Sequence, residues 1–245
     1  MKRVMLQVAY DGTNYHGWQI QPNVVTIESV LNEALSTLLR EEIKVIGASR
    51  TDTGVHALGN IAVFDTAARM PAEKISYALN QRLPEDIRIQ SSMEVAPDFH
   101  PRHQNSKKTY EYKILNCAFP MPVYRLYSYF TYVKLDVEKM QQAASYLVGE
   151  HDFKSFCSTK TVAETTVRTI YDIQVEKLGD MICVRITGSG FLYNMVRIVV
   201  GTLMEAGKGT IAPKDMTDIL KACDREKAGP TLPACGLTLV GYEFL

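Results

Sequence analysis

Long apolar runs, paired cysteines and an excess of charge of either sign are all missing from this sequence. Its 245 residues include 27 basic and 27 acidic side chains, which gives a formal charge of zero. This balance excludes a uniformly basic surface that coats nucleic acid, but it allows a local basic cleft. No apolar run approaches the ~20 residues that a membrane-spanning helix needs. The N-terminal segment turns polar after Tyr10 without a small-residue cleavage site, so we expect neither a secretory signal nor a membrane partner.

Metal and disulfide patterns are also missing. The five cysteines are odd in number and far apart in sequence: Cys117, Cys157, Cys183, Cys223 and Cys235. This usage favours reduced thiols in the cytoplasm over a disulfide framework or a Cys-x-x-Cys metal site. His100 and His103 are separated by Pro101, which breaks helical geometry, so we interpret them as surface histidines. We predict no metal.

The usual cofactor motifs do not occur either. The segment 201–208 (GTLMEAGK) is one residue too long for a phosphate loop and is followed by Gly209 instead of Ser or Thr. The segment 187–190 (TGSG) lacks the third glycine of a dinucleotide fingerprint. No G-x-S-x-G or H-E-x-x-H is present. NAD, ATP and other cofactors are therefore not predicted.

Strand and helix patterns alternate in two similar halves. In the first half, strands are predicted at 3–10, 43–48, 60–65 and 86–95, and helices at 26–40 (with Thr26 as N-cap) and 71–82. In the second half, strands are predicted at 108–116, 167–177, 181–187 and 237–244, and helices from Asp136 to a Gly149 stop, at 190–206, and from Pro213. Placing the boundary in the loop 97–108 gives halves 1–105 and 106–245. The repeated order predicts an α+β fold with a mostly antiparallel sheet.

The most informative loop is Ser49-Arg50-Thr51-Asp52-Thr53-Gly54, between two predicted strands. Taken alone, R-T-D-T-G is most often a solvated loop whose Asp forms an Asx-turn. The functional alternative is a carboxylate, Asp52, that is presented at a strand end as nucleophile or base and oriented by Arg50.

Arg197 lies in an apolar helix, on the same face as Asn194, and no acidic residue occurs between Met181 and Met204. An Arg in such surroundings commonly extends its head group to water. The sharper hypothesis pairs Arg197 with Asp52. An opposite charge within ~4–6 Å would keep that carboxylate ionised.

Tyr110 follows a short basic segment. Between Phe99 and Tyr110 the only charged residues are Arg102, Lys107 and Lys108. A strand aromatic is usually part of the core, but an aromatic beside basic residues also suits stacking on a base while phosphates are held. We therefore expect RNA phosphate contacts from these three residues and Arg168.

Several motifs together resemble the TruA-type tRNA pseudouridine synthases over essentially the whole chain. The matching stretches are Y15-H-G-W-Q19 with Gln21-Pro22, S49-R-T-D-T-G-V-H-A57, K108-T-Y-E-Y112, H151-D-F153, G190-F-L-Y-N-M-V-R197 and P233-A-C-G-L237. The resemblance implies isomerisation of uridine to pseudouridine at positions 38, 39 and 40 of the tRNA anticodon stem-loop. It also implies a homodimer without a cofactor.

The same resemblance implies the fold and the site. The fold would be two ferredoxin-like (RRM-like) halves sharing a central, mostly antiparallel sheet with helices on one face. Asp52 matches the nucleophile, Arg50 a basic residue linked to base flipping, and Tyr110 the substrate-stacking tyrosine. Arg197 matches the arginine paired with the nucleophile, and Leu237 belongs to the apolar motif that lines the pocket. A degenerate RNA-binding module and a structural α+β protein remain the alternative classes.

Overall fold

The computed structural model describes residues 1–161 and 163–245 and divides the chain into two compact units. The first unit contains Met1–Ser106 together with Leu239–Leu245, and the second contains Lys107–Thr238. The α+β class and the mostly antiparallel sheet are both confirmed. Within the described ranges, no helix combines the length and the apolar character that crossing a bilayer requires.

The first unit is built on a mostly buried antiparallel sheet. Its strands and helices are β1 (Lys2–Tyr10), α1 (Ile27–Leu39), β2 (Ile46–Gly47), β3 (His56–Thr66), α2 (Ala72–Asn80) and β4 (Ile87–Val95). The strand order is β4-β1-β3-β10, where β10 is the final strand (Leu237–Phe244), and β2 pairs with β3. Helix α2 packs against β4 and contacts α1.

Helix α1 begins where its N-cap predicts. Thr26 accepts a hydrogen bond from the Ser29 N–H, and the Ser29 hydroxyl accepts one from the Thr26 N–H, forming a reciprocal cap. Ile27, Leu31 and Leu35, which are four residues apart and so share one face of the helix, are fully buried. The sequence therefore contains both the start signal and the core face of this helix.

The strand expected at 43–48 is wrong for most of its length, because only Ile46–Gly47 pairs in the sheet. Side chains of α1 bind the preceding backbone instead. The Ile43 N–H donates to the Ser36 hydroxyl, and the Val45 N–H donates to the Asn32 amide oxygen. A backbone donor that is already satisfied by a helix side chain is not available to a sheet ladder.

The second unit continues the antiparallel pattern. Its elements are β5 (Ser106–Asn116), β6 (Tyr129–Thr131), α3 (Val137–Ser145), β7 (Gly149–Asp152), β8 (Val167–Leu178), β9 (Met181–Gly188), α4 (Met195–Lys208) and α5 (Met216–Ala222). The order is β5-β9-β8-β7, while the short β6 runs parallel to β5. The strands predicted at 167–177 and 181–187 are confirmed as β8 and β9, which pair as a hairpin with Gly179 at φ +60° in its turn.

Two predicted helix ends in the second unit are wrong. Helix α3 ends at Ser145, and Gly149 starts β7 with φ +112° instead of stopping the helix. Helix α4 begins at Met195, five residues after the predicted start, because Asn194 takes a left-handed conformation. Apolar spacing alone does not reveal such a break in the backbone.

Helix α4 is buried almost all round, and the segment 229–232 lies against it. The Gly229 N–H donates to the Thr202 hydroxyl at 2.9 Å. A Cβ on Gly201 would lie 2.0 Å from the carbonyl oxygen of Pro230. The close contact between helix and segment therefore requires a glycine at this position.

We predict that Gly201→Ala destabilises the protein although alanine favours helices. Helix propensity would contribute about 1 kcal/mol of stability, but the methyl group would meet backbone that cannot yield locally, at a cost of ~1–3 kcal/mol beyond that gain. Thermal unfolding should show a fall of several degrees. Gly207→Ala in the same helix is the matched control, because its Cβ would meet the flexible Met140 side chain at 2.8 Å and would come no closer than 3.4 Å to backbone, at the Asp136 carbonyl oxygen. Equal melting temperatures for the two variants would contradict the prediction.

Candidate active site

The loop between β2 and β3 carries Asp52, and two buried side chains of β1 and β3 hold its first half. The Asn60 amide accepts from the Ser49 N–H at 3.2 Å and donates to the Ser49 carbonyl at 2.9 Å. The Tyr10 and Thr51 hydroxyls are 2.7 Å apart. Burial raises the pKa of Tyr10 far above its ordinary value, so this phenol stays neutral. The backbone that leads into Asp52 is therefore fixed from the sheet.

A second segment, residues 15–18, holds the same loop by its backbone. The Trp18 N–H donates to the Thr51 carbonyl at 3.0 Å, and the Gly54 N–H donates to the Tyr15 carbonyl at 3.2 Å. Gly17 has φ +81°, and a Cβ there would lie 2.6 Å from the Thr51 oxygen. Only glycine fits both the conformation and the space.

The far side of the loop is closed in the same way. The Val55 N–H donates to the Asp52 carbonyl at 3.1 Å, which forms a tight turn. A Cβ on Gly12 would lie only 2.1 Å from the Val55 oxygen. Asp52 is half-buried in this frame. Its backbone is thus placed by contacts on both sides before any substrate is present.

Arg50 and Arg102 bring two positive charges to this loop. The Arg102 Nε donates to the Gly47 carbonyl at 3.0 Å. Partial burial, and then the charge of Arg50, lower the pKa of Arg102. Arg50 is exposed. Two guanidinium groups near one loop form a site suited to an anion such as a phosphate.

The two histidines of the loop 97–108 stack on each other. The His100 and His103 rings are 3.9 Å apart between centroids and inclined by 19°. Burial lowers the pKa of His100, and the positive charges of His103 and Arg102 lower it further. Among residues 1–161 and 163–245, no group of three or more His, Cys, Asp or Glu side chains is arranged to hold a metal ion.

In the second unit, Tyr110 lies on β5 and is only 8% exposed. Its ring packs edge-on against Phe191, with centroids 5.2 Å apart and an angle of 85°. An edge-to-face contact of this kind restrains the ring without covering it by stacking. Tyr112, two residues further on, is fully buried, as its place in the strand pattern predicts.

Arg197 lies in the first turn of α4, and its head group is bound on two nitrogens. Its Nε donates to the Leu232 carbonyl at 2.6 Å, and its Nη1 donates to the Asn194 amide oxygen at 2.7 Å. Both acceptors are neutral, so neither cancels the guanidinium charge. Arg197 is half-buried, while the residues that follow it in α4, Ile198 to Met204, are all buried.

Leu237 starts β10 and is 5% exposed. The turn before it packs on Tyr112, whose hydroxyl donates to the Pro233 carbonyl at 2.7 Å. A Cβ on Gly236 would lie 2.6 Å from the Tyr112 ring. The segment 233–237 is therefore held by a buried strand side chain.

The remaining basic side chains that are predicted to contact RNA differ in how firmly other protein groups hold them. The Lys107 ammonium lies 5.3 Å from the centre of the Tyr171 ring. Arg168 donates to the Thr165 and Val167 carbonyls at 2.9 and 2.6 Å, and burial lowers its pKa. Lys107 and Lys108 are half-buried at the start of β5. The Arg168 head group is thus bound to backbone at and just before the start of β8, whereas the Lys107 ammonium lies against an aromatic ring.

The structure brings together Arg50, Asp52 and Arg102 in the first unit, and Arg197 with Asn194 in the second. The interaction with Asn194 is one that the sequence did not assign. A cavity of about 490 Å³ in the second unit was also not anticipated. Its lining residues are Leu115, Pro120, Met121, Pro122, Tyr124, Arg125, Ser128, Tyr129, Phe130 and Cys235. None of the predicted site residues is among them.

Comparison with known proteins agrees with these motifs. The sequence model of a family described as tRNA pseudouridine synthase matches residues 6–104 and 143–244. Proteins named tRNA pseudouridine synthase A are similar along their whole length. Those of Thermoanaerobacter sp. (strain X514) and Brevibacillus brevis are 50% and 49% identical, each over 98% of both chains. That of Acetivibrio thermocellus is 49% identical over 100% of both chains.

The family match covers well over half of the chain, and the identities extend over nearly all of it. It includes the loop that carries Asp52 and the helix that carries Arg197. The chain belongs to the tRNA pseudouridine synthase family and, with it, to the isomerases.

Proposed function

We propose that this chain isomerises uridine to pseudouridine at positions 38, 39 and 40 of the tRNA anticodon stem-loop, with Asp52 as the nucleophile. The observation that carries the proposal is the loop of residues 49–55, which presents a half-buried carboxylate on a backbone fixed from both sides. A preorganised carboxylate suits a reaction in which the reacting atoms must be held in one geometry. Membership of the family supports the choice of tRNA as substrate.

The reaction is an isomerisation, so product and substrate have the same atoms. The N-glycosidic bond between C1′ and N1 breaks, the uracil turns, and a bond forms between C1′ and C5. The proton on C5 leaves and N1 gains one, so no oxidant, reductant or cofactor is consumed. Three roles are open to the Asp52 carboxylate: attack on C1′, removal of the 2′ proton, and addition to C6.

The other residues have roles that suit their chemistry. A base stacked in RNA must be flipped out before it can react, which costs a few kcal/mol. Arg50 is exposed and fills the vacated stack. Tyr110 supports the uracil, and Leu237 contributes an apolar wall. Arg197 keeps Asp52 ionised and oriented.

RNA binding rests on phosphate contacts from Arg102, Lys107, Lys108 and Arg168. A neutral chain achieves this by concentrating its basic side chains locally. We further propose a homodimer in the cytoplasm. The described structure shows all five cysteines as free thiols, which suits a reducing compartment.

Asp52→Asn tests the nucleophile. The amide keeps the size of the side chain but removes its charge and nucleophilicity, so release of tritium from tRNA labelled at uridine C5 should fall by about 10³-fold or more. Affinity for tRNA should stay within a few-fold of wild type. Asp218→Asn, at an exposed position of α5, is the matched control and should keep full activity. Equal tritium release from Asp52→Asn and wild type would remove Asp52 from the reaction. Binding without any product from the wild-type protein would favour the RNA-binding alternative.

Arg197→Ala tests the proposed partner of the nucleophile. Loss of the guanidinium leaves a partly desolvated carboxylate without its counter-charge, a change that commonly costs ~3–5 kcal/mol, so kcat should fall by about 10²-fold or more. Single-turnover kinetics with saturating enzyme measure this directly. Arg69→Ala, at an exposed arginine, should leave kcat unchanged. Turnover of Arg197→Ala close to wild type would refute the pairing.

The salt dependence of tRNA affinity tests the basic contacts. Each phosphate contact contributes roughly 0.7–0.9 to the slope of log affinity against log salt. The double variant Lys107→Ala/Lys108→Ala should therefore reduce the slope by roughly 1.4–1.8 if both residues bind phosphate. Lys44→Ala is the control, because Lys44 is exposed and paired with Glu42. A slope that the double variant leaves unchanged would exclude both lysines from the interface.

A further inference from the structure

The turn that precedes α4 places an asparagine in an unusual conformation. Asn194 has φ +61° and ψ +6°, in the left-handed region, and it is the N-cap of α4. Asparagine tolerates this region better than most residues, although glycine adopts it at least as easily. The conformation therefore permits asparagine but does not demand its side chain.

The Asn194 side chain is not used to cap the helix. An N-cap asparagine normally accepts a hydrogen bond from a backbone N–H of the first turn, which stabilises a helix by ~1 kcal/mol. Asn194 makes no such bond. Its amide oxygen instead accepts from Arg197 Nη1 at 2.7 Å. Helix α4 therefore has no side-chain cap at Asn194, and the amide oxygen of Asn194 binds the guanidinium of Arg197 instead.

A second acceptor fixes the same guanidinium. The Leu232 carbonyl lies 2.6 Å from Arg197 Nε, and the Leu232 N–H donates to the Arg197 carbonyl at 3.4 Å. Because the guanidinium is planar, hydrogen bonds to two of its nitrogens fix both its plane and its rotation. The Leu232 carbonyl alone would fix only one donor.

The position of Asn194 is itself held by the backbone. The Ile198 N–H donates to the Asn194 carbonyl at 3.0 Å, and the Ser158 N–H donates to the carbonyl of the preceding residue, Tyr193, at 3.0 Å. The acceptor oxygen is therefore attached to an anchored turn. From this fixed position it can restrain the Arg197 guanidinium.

We propose that Asn194 is a positioning residue that orients the Arg197 guanidinium for the reaction. The inference rests on the role given to Arg197 in the proposed function. The amide oxygen is neutral, so it directs the guanidinium and leaves its positive charge available for the catalytic carboxylate. An acidic residue at this position would compete for that charge.

Asn194→Gly removes the amide oxygen and keeps a residue that readily adopts φ +61°. The melting temperature should stay close to that of wild type, because no cap is lost. Loss of a hydrogen bond to a charged group that acts during the reaction should lower kcat about tenfold, with KM changed by no more than about twofold. Asn23→Gly is the matched control, since Asn23 is exposed and also has a left-handed φ of +62°. A wild-type kcat for Asn194→Gly, or a rise in KM alone, would overturn the proposal.

A double-mutant cycle shows whether Asn194 acts through Arg197. In the Arg197→Ala background, Asn194→Gly should lower kcat by no more than about twofold, because its target is gone. A further tenfold fall would show that Asn194 acts elsewhere and would refute the proposal. If Arg197→Ala itself turns over like wild type, the proposed function of Arg197 fails. If Arg197→Ala is impaired and Asn194→Gly is not, only the present inference fails.

Asn194→Asp provides a second variant should the glycine weaken the fold. The carboxylate retains an acceptor oxygen at the same place and tolerates the left-handed conformation. The carboxylate adds a negative charge that would pair with the guanidinium, so the kcat of this variant should fall at least as far as that of Asn194→Gly in the same single-turnover assay. A kcat close to wild type would contradict a role based on a neutral acceptor.

Discussion

The close backbone contact between residues 12–18 and residues 51–55 is the constraint on which the candidate site depends. Two glycines allow it, since a Cβ on Gly12 or Gly17 would lie 2.1 or 2.6 Å from a carbonyl oxygen of the loop. The contact leaves no room for a layer of side chains, so the loop is held by main-chain hydrogen bonds. Main-chain atoms have far less freedom than long side chains, and the carboxylate that the loop presents starts from a fixed position. Trp18 extends the same constraint, because its indole fills the space above Gly47, where a Cβ would lie 2.2 Å from the ring nitrogen.

Arg197 poses a different problem, because its cationic head group lies half-buried at the start of an apolar helix. Burying a cation is expensive unless polar groups replace its water. The Leu232 carbonyl and the Asn194 amide supply such groups, and both are neutral. A carboxylate in either place would have satisfied the guanidinium more strongly but would have used up its charge. The segment that carries Leu232 reaches α4 only because Gly201 is small. The close packing at Gly201 therefore also places the Leu232 carbonyl that accepts from the Arg197 guanidinium.

Much of the fold could be predicted because local signals agreed with the tertiary structure. Thr26 caps α1, Gly179 turns the β8–β9 hairpin, and β1 alternates as its pattern requires. Predictions failed where one residue outweighed the pattern. Ser36 and Asn32 bind the backbone of residues 43–45 and keep it out of the sheet. Asn194 interrupts the apolar period before α4. Neither effect is visible in the spacing of apolar residues. The first depends on side chains that reach distant backbone in the folded chain, and the second depends on the left-handed backbone conformation of one residue.

The candidate site was predictable to a similar degree and for the same reason. Motifs made Asp52, Tyr110 and Arg197 candidate site residues by residue type and order, but no pattern in the sequence specifies which neutral atoms surround the Arg197 guanidinium. An asparagine at a helix start commonly caps the helix, but Asn194 does not, because its oxygen accepts from the Arg197 guanidinium one turn away. A charge-assisted hydrogen bond is roughly twice as strong as one between neutral groups, so the competition favours Arg197. Where an N-cap side chain does not bind a backbone N–H of the first turn, its oxygen should therefore be checked for a hydrogen bond from a nearby charged side chain.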